Sequence, residues 1–460
     1  MDNVIDLIDQ SAFLGERATG TTNLLQCIWI YDRAIDMDGL RQFHRHLQRG
    51  RLSRRIERSR LPFGRHRWVS PGTQSDLEIV AIPRPRAEFD TWASEQANTE
   101  LDAEHGPGWH LAVMPFTDGG AGVSFVISHS LIDGVGLCEA LADAATGRRD
   151  PITWPAAGSR RRWQALRQDA RQTARDIPGM GRAVVAGTRF ATGNPGGAGA
   201  QLPSAPRAPF AGPDERVDPP KATFFVDADE WDARAHSLGG TSNALLAGLA
   251  GRLAQRVGRV AGNGLATLAI PVNERTDGDT RANAITSVDI TVDPAGAPAD
   301  LREIRAAIKQ ALIRHEEVPD ARLALLPLAP LMPRWLVRRM AGVALGGATT
   351  SGSSNLGALS PAANRPDGTD ADHFAVRLLV PGVTKATVHQ TGGLLGLLSG
   401  RAHGRVFVSV VAYELGGLNS NDVLQQHISS VVRDFSLAAT IGWPHPEPMR
   451  AQCAEPQDRG

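Results

Sequence analysis

The sequence predicts an α/β protein, in the α+β sense, divided into two subdomains. Three observations carry this. At 460 residues the chain is too long for one ordinary hydrophobic core. Stretches with strand character alternate in both halves with stretches whose apolar residues recur at helical spacing. Between them, residues 191–220 are dominated by Gly, Pro, Ala and Ser, the composition of an extended crossover. The expected organisation is therefore an N-terminal subdomain over 1–190, a linker over 191–220 and a C-terminal subdomain over 221–440. Residues 441–460, polar and with several prolines, are expected to form a disordered tail.

Residues 5–14 form a short amphipathic stretch, and 24–31 a strand of apolar and β-branched residues. Met37, Leu40, Phe43 and Leu47 have the spacing of a helix lying on a sheet. The arginine-dense piece 49–67 is expected to be a solvated helix face with one arginine turned inward. Strands are expected at 77–82, 109–115 and 121–128, the last two paired across the Gly119-Gly120 turn, with a helix over 89–101. A small-residue helix over 136–145 and an arginine-rich helix within 159–190 complete the first half.

The second half starts with a strand over 222–226 and a helix near 228–238. Thr241 and Ser242 then cap a helix over 243–259. Strands follow at 265–272 and 284–292, then an amphipathic helix over 301–314. Residues 323–345 are apolar but interrupted by Pro and by Arg334, Arg338 and Arg339. The favoured reading is a helix lining or covering a substrate channel, the alternative a peripheral membrane contact. A strand near 374–379, a hairpin with arms at 394–399 and 405–413, and a helix over 422–435 close the chain.

Composition excludes several classes. Forty-nine basic side chains balance forty-nine acidic ones, which leaves no electrostatic case for a nucleic-acid partner. Lys221, Lys309 and Lys385 are the only lysines, and with abundant Ala and Gly this suggests a GC-rich bacterial genome. Cys27, Cys138 and Cys453 are odd in number, far apart and without metal-ligand spacing, so reduced thiols and no metal are expected. The acidic N-terminus lacks an apolar signal core, and no run approaches the roughly 18 apolar residues of a membrane span. The expected location is cytoplasmic, with peripheral contact at the inner face of the membrane as the variant.

The chemistry concentrates in Val126-Ile127-Ser128-His129-Ser130-Leu131-Ile132-Asp133-Gly134. An apolar strand runs here into a tight turn and then a helix. Imidazole titrates near neutrality, so His129 can take a proton from a hydroxyl or amine nucleophile. Asp133 is expected to hold the loop through an ion pair, because a buried carboxylate needs a partner. Gly134 is expected to permit a turn that a Cβ would resist.

Five pieces in order carry a resemblance. They are Ser11-Ala12-Phe13-Leu14, the Ser128–Gly134 motif, Thr241-Ser242-Asn243, Pro271-Val272-Asn273-Glu274-Arg275 with Asn283 downstream, and Ser354-Asn355-Leu356-Gly357. Over residues 8–437 the chain resembles acyl-CoA-dependent acyltransferases of the chloramphenicol-acetyltransferase-like superfamily. Within it, the chain looks most like wax ester synthase/diacylglycerol acyltransferases and polyketide-associated acyltransferases. The resemblance implies two similar subdomains, with mixed sheets flanked by helices and a tunnel between them. It implies His129 as general base and Asp133 as a structural acid paired with an arginine, for which Arg54 and Arg55 are both candidates. It departs from the family at Ser128, where a first histidine is usual, at Ala244, where Asp is usual after the asparagine, and at Ala358, in a Ser-Asn-x-x-Gly-Pro pattern.

On this reading the enzyme moves an acyl group from acyl-CoA, a substrate rather than a resident cofactor, to an alcohol or, less favoured, an amine, in a lipid-related role. Ser351, Ser354 and Asn355 are candidates for lining the oxyanion position or the tunnel, with an ordinary turn as the equal alternative. Two rivals stand beside it. One is a condensation-domain-like enzyme that takes its acyl group from a carrier protein docked near Arg160-Arg161-Arg162, forming an amide. The other is a degenerate member that binds lipid or a partner without catalysis.

Overall fold

The structure, a computed structural model, describes residues 3–72, 75–148, 152–191, 210–276, 278–318, 323–337 and 350–444. Its first half runs α1 (Leu7–Thr19), β1 (Leu24–Tyr31), α2 (Met37–Leu47), β2 (Arg55–Glu57), β3 (Arg67–Val69), β4 (Leu77–Ile79), α3 (Phe89–Gln96), β5 (Trp109–Pro115), β6 (Ala121–Ser128), α4 (Gly134–Thr146) and α5 (Arg162–Ala191). The second half opens with β7 (Lys221–Asp227), α6 (Ala228–Ser237), α7 (Ser242–Arg256), β8 (Ala266–Asn273), β9 (Ile285–Val292) and α8 (Arg302–Glu317). It closes with β10 (Ser351–Ala358), β11 (His373–Leu379), α9 (Lys385–Gln390), β12 (Leu394–Ala402), β13 (Arg405–Tyr413), α10 (Asn421–Asp434) and β14 (Ala439–Ile441).

Two mixed sheets organise these elements. The first has the order β11-β1-β6-β5-β4, antiparallel except for the β4–β5 edge. The second has the order β14-β7-β13-β12-β10-β8-β9, with β10 parallel to both of its neighbours. Every residue of β1 and of β6 is buried, as befits strands covered on both faces. Trp109 pairs with Ile127 and Pro115 with Ala121, so β5 and β6 form the hairpin anticipated from the Gly119-Gly120 turn. Between β12 and β13 the turn residues His403 and Gly404 both have positive φ, 47° and 68°, the geometry of a two-residue hairpin loop. Side-chain caps start the helices where expected. Asp36 accepts from Asp38 N and Gly39 N to begin α2, and Thr241 accepts from Ala244 N to begin α7.

The two sheets share a seam. Strand β11 comes from the second half of the chain yet pairs with β1 from Leu24↔Leu379 to Ile30↔His373. Its Phe374 lies 5.3 Å from Trp29 of the first sheet and meets Phe407 of the second edge-on at 5.9 Å. Phe225, Leu398 and Phe407 of the second sheet belong to the same buried cluster as the first sheet's core.

Several elements differ from the sequence reading. Residues 49–67 are not a helix face but a short 3-10 turn and the β2–β3 hairpin, with Arg54 and Arg67 both turned inward. Aromatic packing explains the inward turn, because Arg54 stacks on Trp68 at 4.3 Å and Trp154 at 5.5 Å. The Gly- and Ser-rich stretch 351–357 is a strand, β10, whose small residues fit between two parallel neighbours. Of residues 323–345, Leu323–Leu331 is a 3-10 helix packed against α1 and α5, and 338–345 lie outside the described residues. Residues 441–443 of the expected tail are packed against the fold. Ile441 pairs with Phe224, and Trp443 packs on Phe89 and donates its indole N–H to Asp90 at 3.1 Å. Residues 192–209 of the expected linker, 445–460 of the tail, and Cys453 lie outside the described residues, while Cys27 and Cys138 are buried and free. Among the described residues no helix is long and apolar enough to cross a membrane.

The seam makes a measurable demand. Phe374→Ala is expected to cost about 3–5 kcal/mol by chemical denaturation, the range for emptying a large buried site. A loss below about 1 kcal/mol would show that the two sheets do not depend on this contact.

Candidate active site

Strand β6 delivers the motif. Its last residue, Ser128, is buried, and the chain turns through His129–Ile132 into Asp133, the N-cap of α4. The backbone on both sides of His129 is held. Its N–H donates to the Asn23 carbonyl at 2.8 Å, and its C=O accepts from Asn283 Nδ2 at 3.1 Å. The half-buried His129 thus sits where β6 and α4 meet the 279–284 loop of the second half.

Asp133 is fully buried and fully used. Oδ1 accepts from Gly136 N at 2.7 Å, capping α4. Oδ2 accepts from Ala284 N at 2.8 Å and from Arg275 Nη2 at 2.5 Å. Arg275 follows the end of β8 and also donates to the carbonyls of Ala282 at 3.0 Å and Arg281 at 3.2 Å. Neither Arg54 nor Arg55 is the partner expected for Asp133; that partner is Arg275. Arg54 Nε and Nη2 donate to Leu131 O at 3.2 and 2.6 Å, and Nη1 to Thr280 O at 2.7 Å. Burial pushes the Arg54 guanidinium down to about 10, and Asp9 opposes this more strongly than Asp133 does. Arg55 is half-buried in β2, opposite Val69.

The glycines serve a closer approach than a turn requires. Gly134 is not among the residues with positive φ; a Cβ there would lie 2.7 Å from Leu356 Cδ2. At Gly136 a Cβ would lie 3.0 Å from the Arg275 guanidinium. Small residues at these positions let β10 and Arg275 close on the start of α4.

Leu356 brings the far end of β10 to the motif. Asn355 Nδ2 donates to Asn243 Oδ1 at 2.5 Å, so two of the five sequence markers, on α7 and β10, touch. Ser354 is half-buried and pairs with Leu398. Ser351 is displaced from this place. It lies five residues from Leu356 along β10, about 17 Å on an extended chain. Its buried hydroxyl instead accepts from Arg259 Nε at 3.3 Å.

Residues that sequence reasoning left without a role complete the constellation. Asp9, fully buried on α1, accepts from Ala282 N at 2.9 Å, Asn283 N at 2.8 Å and Asn283 Nδ2 at 3.1 Å. Burial raises its carboxyl to about 6 against the opposing charge of Arg54. That value exceeds the ordinary 3.8, so ionising Asp9 costs the fold, and the cost grows as pH rises from 3.8 to about 6. Its signal was available: Ile5, Asp9 and Phe13 recur at helical spacing, which places an acid on an apolar face.

Among the described residues, Asp102, Glu104 and His105 have ligand atoms close enough to share a cation, but Glu104 already pairs with Arg17 and Arg58. A cavity of about 630 Å³ opens between His46–Ser53, Ala140–Arg148 and Ile152–Trp154; none of the site residues lines it.

No family model matches the chain, and no curated protein matches its sequence. Solved structures do. The first condensation domain of the calcium-dependent antibiotic synthetase superposes with a TM-score of 0.56 at 16% identity, over 96% of this chain and 98% of that one. The wax ester synthase/diacylglycerol acyltransferase from Marinobacter aquaeolei VT8 gives 0.54 at 14% identity, over 95% and 100%. The epimerization domain from the third module of tyrocidine synthetase B gives 0.51 at 15%, over 95% and 97%. The chain has the two-subdomain fold of these proteins.

The Asp133–Arg275 pair is open to a double-mutant cycle. Asp133→Asn is expected to cost about 3–5 kcal/mol by leaving Arg275 buried and uncompensated. Asp133→Leu combined with Arg275→Met should lose less than the sum of the single changes, and strict additivity would contradict the coupling.

Proposed function

We propose that this chain transfers an acyl group from a thioester to a hydroxyl, with His129 as the general base. The observation that carries this is the held peptide of His129, fixed from Asn23 on one side and from Asn283 of the other half on the other. A base must be placed within hydrogen-bond reach of its nucleophile, and here both halves of the chain fix its backbone. Asp133, committed to the α4 cap and to Arg275, is a structural acid and not a second base.

In the reaction His129 takes the hydroxyl proton as the oxygen attacks the thioester carbonyl. The tetrahedral oxyanion collapses, the C–S bond breaks, and the imidazolium returns the proton to the departing thiolate. No covalent enzyme intermediate is needed. Asn355 and Ser354, at the end of β10 that meets the motif, are the candidates nearest the oxyanion; Ser351 is set aside by its distance. Donor hydrogen bonds at such a position typically lower a barrier by about 3–4 kcal/mol.

Acyl-CoA is the proposed donor and an alcohol the acceptor, in keeping with the wax ester synthase likeness. A carrier-protein thioester with an amine acceptor is the second reading, favoured by the condensation-domain likeness over 96% of the chain. Of the arginine run suggested for carrier docking, Arg160 is committed to Glu57 and Asp169 at 2.8 Å each, leaving Arg161 and Arg162 exposed.

Thiol release from acyl-CoA and from acylated carrier protein, with mixed alcohols and amines, tests the reading. Acceptor-dependent release reduced by about 100-fold or more in His129→Ala is the expected result. Release from neither donor, in wild type and variant alike, would leave only a non-catalytic binding role.

A further inference from the structure

Helix α1 presents two acids to the His129 loop, Asp9 and Glu16, seven residues apart and so on one face. Each reaches a peptide group flanking His129 through an asparagine. Asp9 takes the Asn283 amide that also donates to His129 O. Glu16 Oε1 accepts from Asn23 N at 3.3 Å, and the Asn23 carbonyl accepts from His129 N at 2.8 Å. Beside this link the buried Ser128 and Ser130 hydroxyls lie 2.7 Å apart, and Ser128 Oγ accepts from Ser130 N at 3.3 Å.

We infer that Glu16 is a positioning residue for His129, acting through the Asn23 peptide that holds the His129 N–H. This rests on the reading of His129 as the base.

The ionisation of Glu16 falls where it can be read. Burial pushes its carboxyl up to about 7, opposed by the Asn23 N–H and the Ser130 hydroxyl, and no charged side chain enters among the causes. On α1, Arg17 is committed to Glu104. The Leu323–Leu331 segment packed against α1 brings only Leu, Ala and Pro. On the loop that Glu16 holds, the titratable groups are His129 and Asp133, the latter committed to Arg275. Activity should therefore fall on the acid side as Glu16 takes up its proton, with Asp9, raised to about 6 on the same face of α1, adding a second ionisation.

The test uses the intact chain with Glu16→Gln and Glu16→Ala. Glutamine keeps an acceptor for Asn23 but cannot ionise, so the acid limb of kcat should lose one ionisation and become shallower. Alanine removes the acceptor, and kcat should fall about ten- to a hundredfold with KM little changed, the scale of a displaced catalytic group. A structural residue would leave the limb's shape as it is. A second readout is independent of turnover. The His129 ring signal, assigned by its loss in His129→Ala, should show an inflection from Glu16 in histidine-labelled NMR titrations, absent in Glu16→Gln. If no thioester is turned over but that inflection is present and lost in the variant, the positioning role stands and the base reading fails. An acid limb unchanged in Glu16→Gln, or a His129 titration identical in wild type and variant, overturns the inference.

Discussion

The buried pair of Asp133 and Arg275 is the constraint on which the rest of the site depends. One carboxylate oxygen starts α4, and the other joins the entry to β9 and the residue that follows β8. Three backbone segments, two from the second half of the chain, are thereby held by one side chain. Taking two charges out of water offsets much of their attraction, so the pair's effect lies in position more than in net stability. Around it the other charges have defined places. Arg54 satisfies the Leu131 carbonyl from one side, and Asp9 satisfies the loop amides at 282 and 283 from the other.

Much of the fold was legible because periodicity is local. The apolar runs in 24–31 and 121–128, and the helical spacing from Met37 to Leu47, required no knowledge of partners. What could not be read locally was assignment across distance. Asp133 shows the need for a cation by being an acid in an apolar stretch, but nothing near it in the chain distinguishes Arg275 from Arg54. Ser351–Ala358 has the composition of a loop; it is a strand because two parallel neighbours accept its small side chains. Strand β11 was recognisable as a strand, but its place beside β1 was not, since its partner is encoded some 350 residues earlier. At the site, the place of His129 between the end of β6 and the start of α4 was legible from motif and placement. Glu16 and Asn23 were not, because their role passes through peptide groups that carry no residue signature.

The likeness to condensation domains and to a wax ester synthase at 13–16% identity has a physical basis. A fold of this kind asks for buried strands at given places and small residues at close approaches, demands that many sequences meet. The chemistry asks for far less chain, and on the proposed reading it draws on residues from α1, β6, α4, the region after β8 and the end of β10 together. Shared architecture therefore says little about donor or acceptor.

Strand β11 also has a consequence for how the chain is made. When the first half has emerged from the ribosome, β1 has β6 on one side and nothing on the other, a strand apolar but for Gln26 with an open edge. Such an edge is a template for pairing with another chain. It stays open until residue 379 has been synthesised, and its closure brings together sites hundreds of residues apart, the slow kind of contact in folding. Synthesis thus passes through a long interval in which the first half is nearly complete and exposed. A chain truncated before β11 would make that interval permanent, and aggregation through β1 is the outcome the topology favours.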